Sequence, residues 1–338
     1  MAVITLGGVS VDLEQVDLLS MLTRSLSASV AGQLTSVNGQ TLDTLYGQFS
    51  LSLTGALSGG TLTRILETQG GSTVFDISGV SLPVVDLLRW AAAGDRTAAI
   101  NSMLAGADTI TGSTLGDVLR GLSGADNISG GAGDDVLDGG DGDDVVNGGA
   151  GDDVITGGSG SNVLRGDDGA DLLSGGSGFD DINGNVGNDT AHGNAGDDWV
   201  VGGKNDDLLY GDAGADIVYG NLGNDTLSGG DGNDVVRGGQ GDDSVSGDAG
   251  DDIVFGDRGN DTLAGGAGAD IFHFFSGAGN DRITDFNYAQ GDRILIEGGA
   301  SWSVAMSGAD TVVTLGADTL TLVGVNLAAL ASDWIGLG

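Results

Sequence analysis

From residue 103 to residue 273 the chain keeps one period of nine through 19 units, without an insertion or a deletion. Residues 130–156 read GGAGDDVLD, GGDGDDVVN, GGAGDDVIT. In a frame that starts at Met103, position one is Gly in every later unit, and position four is Gly in 17, with Leu115 and Asn205 as exceptions. Position six is Asp in 18 units and Asn162 in the other, while position eight is apolar in all 19, with only Ala191 small. A helix cannot use this pattern, because each interior Gly costs about 1 kcal/mol relative to Ala. A short strand at positions seven to nine can, since its central side chain points to one face and its neighbours to the other. Positions one to six then form a turn, in which Gly adopts positive φ freely. Asp or Asn at position five, present in 11 units, is expected to tolerate the left-handed conformation there. Two units make a coil of 18 residues, and coils stacked about 4.8 Å apart predict a rod of roughly 45 Å with two aliphatic ladders inside.

That core is one side chain thick and does not offset the ordering of so many glycines. Composition points to what does. The chain carries 49 acidic and 11 basic residues, a formal net charge of −38. Such a field repels nucleic acids and anionic membranes and attracts cations. Stacking brings the position-six carboxylates of successive coils together with turn carbonyls that Gly leaves accessible. An all-oxygen donor set with neither His nor Cys suits Ca²⁺ rather than Zn²⁺ or Mg²⁺. The candidate metal ligands are Asp108, Asp117, Asp126, Asp135, Asp144, Asp153, Asn162, Asp171, Asp180, Asp189, Asp198, Asp207, Asp216, Asp225, Asp234, Asp243, Asp252, Asp261 and Asp270. Asp281 joins them, because SGAGNDRIT (276–284) resumes the pattern after a shift of two residues. Roughly 15–17 calcium ions, one per pair of turns two units apart, would offset most of the charge. Weaker sites are expected at the N-terminal end and near Leu115, Asn162 and Asn205.

The units resemble G-G-x-G-x-D-x-U-x, the repeat of the RTX (haemolysin-type calcium-binding) proteins. The resemblance implies an all-β fold dominated by a right-handed parallel β-roll that binds calcium. It also implies export by the type I machinery of a Gram-negative bacterium, with the chain unfolded inside and folded by calcium outside. The stretch DFNYAQGDRILIEGG, with the hairpin expected at Gly316–Asp318, resembles the C-terminal closure of these proteins. The tail has no Lys or Arg from residue 298 onward, and NLAALASDWIGLG looks like an uncleaved secretion signal; an ordinary amphipathic helix is the alternative. The resulting division is 1–94 as an N-terminal α/β or mostly-β domain, 95–102 as a capping helix, 103–284 as the roll, and 285–338 as C-terminal cap and signal. In the first domain, 47–57, 59–68 and 72–82 read as strands. Residues 14–26, 83–94 and 95–106 read as helices, with Pro83 in a first turn.

No catalytic constellation is visible. H-E-x-x-H and G-x-S-x-G are missing, and the two histidines, His192 and His273, fall at outward position nine. There is no cysteine and no run of 18 apolar residues, so neither a thiolate site nor a membrane-spanning helix is expected. Residues 1–15 also lack the basic and apolar regions of a cleaved signal peptide. Trp199, Tyr210 and Tyr219 read as packing aromatics, with glycan contact as the alternative. The expected role is a secreted, non-enzymatic protein of matrix, surface layer or adhesion, with calcium, the secretion machinery, and a homo-oligomer or a surface polysaccharide as partners. The alternative is a roll that serves export and folding of a small N-terminal enzyme or binding domain.

Overall fold

In the computed structural model, residues 106–112, 114–298 and 301–337 are described with their side chains. Earlier in the chain, strand backbones are described at 3–6, 26–29, 33–38, 41–51, 57–69 and 72–83. The chain divides into two compact units, Met1–Ser159 and Gly160–Gly338. No α-helix occurs among the described residues, and no helix there is long and apolar enough to cross a membrane.

Both units contain the same parallel construction. In the first, Thr109–Thr111, Asn127–Ala132 and Val145–Ala150 form one sheet, and Val118–Ser123, Val136–Asp141 and Val154–Ser159 form another. In the second, strands recur every nine residues from Val163–Asp168 to Ile271–Phe275, and each pairs in parallel with the strand 18 residues away. Position eight is buried throughout, from Ile110 to Phe272, each side chain at most 2 % exposed. This constancy of register is a consequence of the period: a one-residue slip would send every aliphatic side chain outward.

The strands are longer than expected. Those from Val118–Ser123 to Thr262–Ala267 each span six residues, from position seven to position three of the next unit, as in Val136–Asp141. The turn shrinks to positions four to six. Pairing skips position one: Asp138 pairs with Thr156, and the next pair is Gly140 with Gly158. The strand therefore bends at the position-one Gly and re-enters the ladder through a position-two residue of positive φ. That residue is Gly in many units, but Leu122, Asp167, Asn185, Asn194, Asp212, Asn221, Asp248 and Asp257 also hold φ between 69° and 77°. The left-handed residues are thus at positions two and four, not five. At position four the need for Gly is absolute in most coils: in Gly187 (φ 144°) a Cβ would overlap the carbonyl oxygen of Gly169 in the adjoining coil. Asn205 fills its Gly position by adopting φ 77°.

Beyond Phe275 the roll does not end at 284. One sheet of the second unit continues through Arg293–Glu297 to Ile335–Leu337, both parallel. The other continues through Asn280–Ile283 and Asp318–Leu322, then turns antiparallel through Asp310–Leu315 to Trp302–Ser307. Its expected hairpin is present, with Gly316 at φ 70°. The cap is built of further rungs, closed by Phe286 and Trp334, whose rings lie 6.2 Å apart. The tail is not an amphipathic helix: Leu327–Ala329 is one 3-10 turn, and Ile335–Leu337 is a strand.

In the first unit, Thr41–Leu51, Leu57–Gln69 and Ser72–Pro83 form an antiparallel meander; the strands read at 59–68 and 72–82 fall within the last two, whereas of the strand read at 47–57 Leu51 ends the first and Leu57 opens the second. Val3–Leu6 pairs antiparallel with Ser72–Pro83 and in parallel with Thr109–Thr111, adding a rung at the start of the roll. Pro83 ends a strand. The expected helices at 14–26, 83–94 and 95–106 lie outside the described residues, except that Leu26 opens the strand Leu26–Ser29, Pro83 closes Ser72–Pro83, and Gly106 lies in a bend.

These constraints separate two kinds of glycine. Gly187→Ala combines left-handed strain of ~1–2 kcal/mol with a backbone clash, and a marked fall in the thermal midpoint is expected. Gly140→Asn places Asn where three other coils carry it at φ 72–77°, but Gly140 sits at φ 101° and its Cβ would close on the carbonyl oxygen of Leu122, so the backbone must shift and a fall smaller than that of Gly187→Ala is expected. Thermal melts of both variants in calcium check the difference.

Candidate metal centres in the turns

The position-six side chains point into the turns. Each candidate from Asp108 to Asp281 is at most 4 % exposed. Their arrangement repeats. Oδ1 of Asp126 accepts the backbone N–H of Asp108 at 2.7 Å, and Oδ1 of Asp135 accepts that of Asp117 at 2.7 Å. The same bond links Asp198 to Asp180, Asp216 to Asp198 and Asp234 to Asp216, at 2.7–2.8 Å. Each carboxylate thus holds the turn 18 residues before it.

The other oxygen is different. Oδ2 of Asp126, Asp135, Asp180, Asp189, Asp198, Asp207, Asp216, Asp225, Asp234, Asp243, Asp252, Asp261 and Asp270 is buried without a hydrogen-bond partner. An orphaned carboxylate oxygen is costly to bury, and natural proteins hold few of them. A rank of them in register calls for a cation. A cradle lies beside them: a Cβ on the position-one Gly130 would run into both Oδ2 of Asp135 and the carbonyl oxygen of Gly148. Gly139, Gly175, Gly211, Gly229 and Gly247 meet the corresponding pairs of oxygens. Position one is therefore Gly because carboxylate and carbonyl oxygens converge there, and not because of its φ. Among the described residues no three His, Cys, Asp or Glu side chains converge as a group. With so few side-chain ligands per turn, a bound ion would take much of its coordination from backbone carbonyls. Such a donor set fits Ca²⁺, a hard cation that accepts carbonyl oxygens in flexible geometry.

Burial raises the carboxyl pKa values, with neighbouring carboxylates adding to the effect and the backbone N–H bond opposing it. Asp198, Asp207, Asp243 and Asp252 are pushed up to about 7, and Asp126, Asp135, Asp189, Asp216, Asp225 and Asp270 to about 6. Asp261 and Asp281, a hydrogen-bonded pair, are both raised by burial.

The departures are accommodated. Asn162 is buried like its aspartate counterparts and gives its backbone N–H to Oδ1 of Asp180 at 2.8 Å. Leu115 stays 49 % exposed at its turn. Asp281 takes the place read for it, accepting from Asp261 N–H at 3.1 Å. Sequence reasoning missed Asp292, which is 2 % exposed and accepts from Asp270 N–H at 3.3 Å. Its signal was the Asp-Arg-Ile of GDRI, which repeats the spacing of Asp281-Arg282-Ile283.

Position five has a role of its own. Its backbone N–H donates in the opposite sense, to the side chain 18 residues earlier: Asn224 to Asp206 (2.7 Å), Asp242 to Asn224 (2.9 Å), Asn260 to Asp242 (2.8 Å). Asp and Asn serve equally because each presents Oδ1. This exposed ladder, rather than left-handed backbone, accounts for Asp and Asn at position five.

The model of the RTX calcium-binding nonapeptide repeat matches residues 111–283 in overlapping copies. The chain belongs to this family. As an RTX protein it is a calcium-binding protein. Two similar solved structures are the extracellular lipase LipA from Serratia marcescens and the AlgE6R3 subunit of the mannuronan C5-epimerase from Azotobacter vinelandii. The lipase is 22 % identical over 53 % of this chain, with a TM-score of 0.24; the epimerase subunit is 28 % identical over 41 %, with a TM-score of 0.19. The match covers 40 % of the lipase chain and 77 % of the epimerase subunit. A comparison with curated proteins gives no match.

A carboxyl whose folded pKa lies above its ordinary value of 3.8 stabilises the fold below that value. The contribution is lost as pH rises through the folded pKa, here 6 to 7. In chelator the roll is therefore expected to keep its β circular dichroism at pH 5 and lose it at pH 8. Asp243→Asn retains an Oδ1 acceptor and removes a buried charge. Native mass spectrometry is expected to count fewer calcium ions on this variant, while chelator melts at pH 6, where the parent roll is still folded, show higher stability than the parent.

Proposed function

We propose that this protein is a secreted, non-enzymatic calcium-binding protein that folds on reaching calcium-rich surroundings and acts there as a structural or surface element, in matrix, surface layer or adhesion. The observation that carries the reading is the rank of buried, unpartnered Oδ2 atoms. Asp108, Asp117, Asp126, Asp135, Asp144, Asp153, Asn162, Asp171, Asp180, Asp189, Asp198, Asp207, Asp216, Asp225, Asp234, Asp243, Asp252, Asp261, Asp270 and Asp281 would hold roughly 15–17 ions, the additional buried carboxylate of Asp292 extending the row. Calcium would neutralise the turns and join adjacent coils, so binding free energy becomes folding free energy. A chain kept unfolded where calcium is scarce suits export through a type I channel from a Gram-negative cell. The surface role is supported by the regular outward faces and by the exposed rank of position-five side chains such as Asp206 and Asp242.

A second reading treats the roll as the export and folding module of an N-terminal domain. The antiparallel meander at 41–83, outside the period of nine, favours it.

Calcium titration of the metal-free protein, followed by circular dichroism and light scattering together, separates the two. A cooperative gain of β structure near millimolar calcium or below, with little response to magnesium, is expected. Growth in particle size at the same midpoint supports the structural role. A monomer throughout supports the second reading, and a calcium-indifferent fold contradicts both.

A further inference from the structure

The strand bend at position one leaves a furrow along the outer face of a sheet, between the side chains of position nine and those of position three. In the second unit it opens into a groove of about 480 Å³. Gly238 and Gly239 form its floor, Tyr219 and Phe275 contribute aromatic rings, and Gln240 and Asn221 contribute amides.

The charges at this groove are unusual for a chain of net charge −38. Two arginines, Arg237 and Arg258, line it beside a single carboxylate, Asp257. Arg237 is committed: Nε and Nη2 both bond Asp257, the second at 3.0 Å, and its guanidinium lies 5.1 Å from the centre of the Phe255 ring. Arg258 is not. Its side chain is exposed and enters no hydrogen bond or ion pair with another described residue. One uncommitted guanidinium, a tyrosine face and two amides therefore share one concavity. A guanidinium binds a carboxylate in bidentate fashion, and an aromatic face packs against apolar C–H surface. Amides supply donors and acceptors to hydroxyl groups.

We propose that this groove binds an acidic saccharide, a sugar unit that bears a carboxylate, with the carboxylate on Arg258, the ring on Tyr219 and the hydroxyls on Gln240 and Asn221. The groove lies on the outer face and shares Gly238 with the inner cradle, where a Cβ would meet Oδ2 of Asp243 and the carbonyl oxygen of Gly256, so the calcium state of the roll is read alongside binding. The site rests on the calcium-folded roll but not on any surface role. The neighbouring aromatics are otherwise engaged: Tyr210 stacks on His192 at 4.4 Å, Trp199 meets Phe179 edge-on at 6.4 Å, and Phe255 stacks on His273 at 4.1 Å. Tyr219 has no such ring partner among the described residues.

The test uses the full chain in excess calcium. Calorimetric titration with trigalacturonate is compared with titration by maltotriose, a neutral trisaccharide. Trigalacturonate is expected to bind and maltotriose at least tenfold more weakly. Arg258→Glu is expected to weaken trigalacturonate by about tenfold or more, and Tyr219→Ala by several-fold. Arg282→Glu, a matched charge change on the other sheet, is expected to leave binding within twofold. The calcium midpoint of each variant is read by circular dichroism, so a failure of the roll itself is recognised separately. Should Arg258→Glu not fold, Arg258→Gln and Tyr219→Ala carry the same comparison. The proposal is overturned by absence of trigalacturonate binding to the folded parent, or by equal binding of the neutral sugar. Equal loss in Arg258→Glu and Arg282→Glu, or no loss in Arg258→Glu, also overturns it. The first of these marks general electrostatics, and the second marks bridging by calcium at the turn carboxylates.

Discussion

Everything in the roll depends on one buried oxygen per turn. The position-six carboxylate uses Oδ1 to hold the backbone of the adjoining coil and leaves Oδ2 inside the turn with nothing to accept. Water is excluded there, and a like charge waits in the next coil. In such surroundings an isolated carboxylate either takes a proton or finds a cation. The raised pKa values of Asp198 and Asp243 express the first option, and calcium supplies the second. Protons and calcium thus compete for the same atoms, which ties fold stability to both pH and metal.

The rest of the repeat serves that oxygen. Gly at position one yields the space in which carboxylate and carbonyl meet. Gly at position four permits the turns to stack so closely that no Cβ fits between them. Position five fastens the outer side of the turn through side-chain oxygens running in the direction opposite to the inner bonds. Position eight supplies a hydrophobic ladder one side chain thick. The aliphatic ladder alone is too thin to order so flexible a chain, so the inner and outer hydrogen-bond ladders and the ions must supply the remainder.

Periodicity made the inner architecture legible. Strict spacing fixed which residues face the core, and charge without His or Cys fixed the kind of metal that the turns suit. What the spacing does not encode is which bonds a side chain makes. Aspartate at position five reads as a tolerant turn residue until its Oδ1 is seen beneath the N–H of the next coil. The six-residue strand was missed because Gly at positions one and two looks like turn, although the ladder resumes through positive-φ residues such as Asn194 and Asp212. Asp292 was missed because the intervening loop breaks the count, while its buried neighbour Ile294 keeps the rank.

The most direct measurement is hydrogen exchange of the backbone amides at position six, residue by residue, as calcium is added to metal-free protein at pH 8. These N–H groups are donated to the Oδ1 atoms that share their carboxylates with the proposed ions. The account predicts that the amides from Asp180 to Asp252 exchange freely in chelator and become protected together, over the same calcium range in which ions bind. Protection of these amides at pH 8 in chelator, unchanged by calcium, would contradict it.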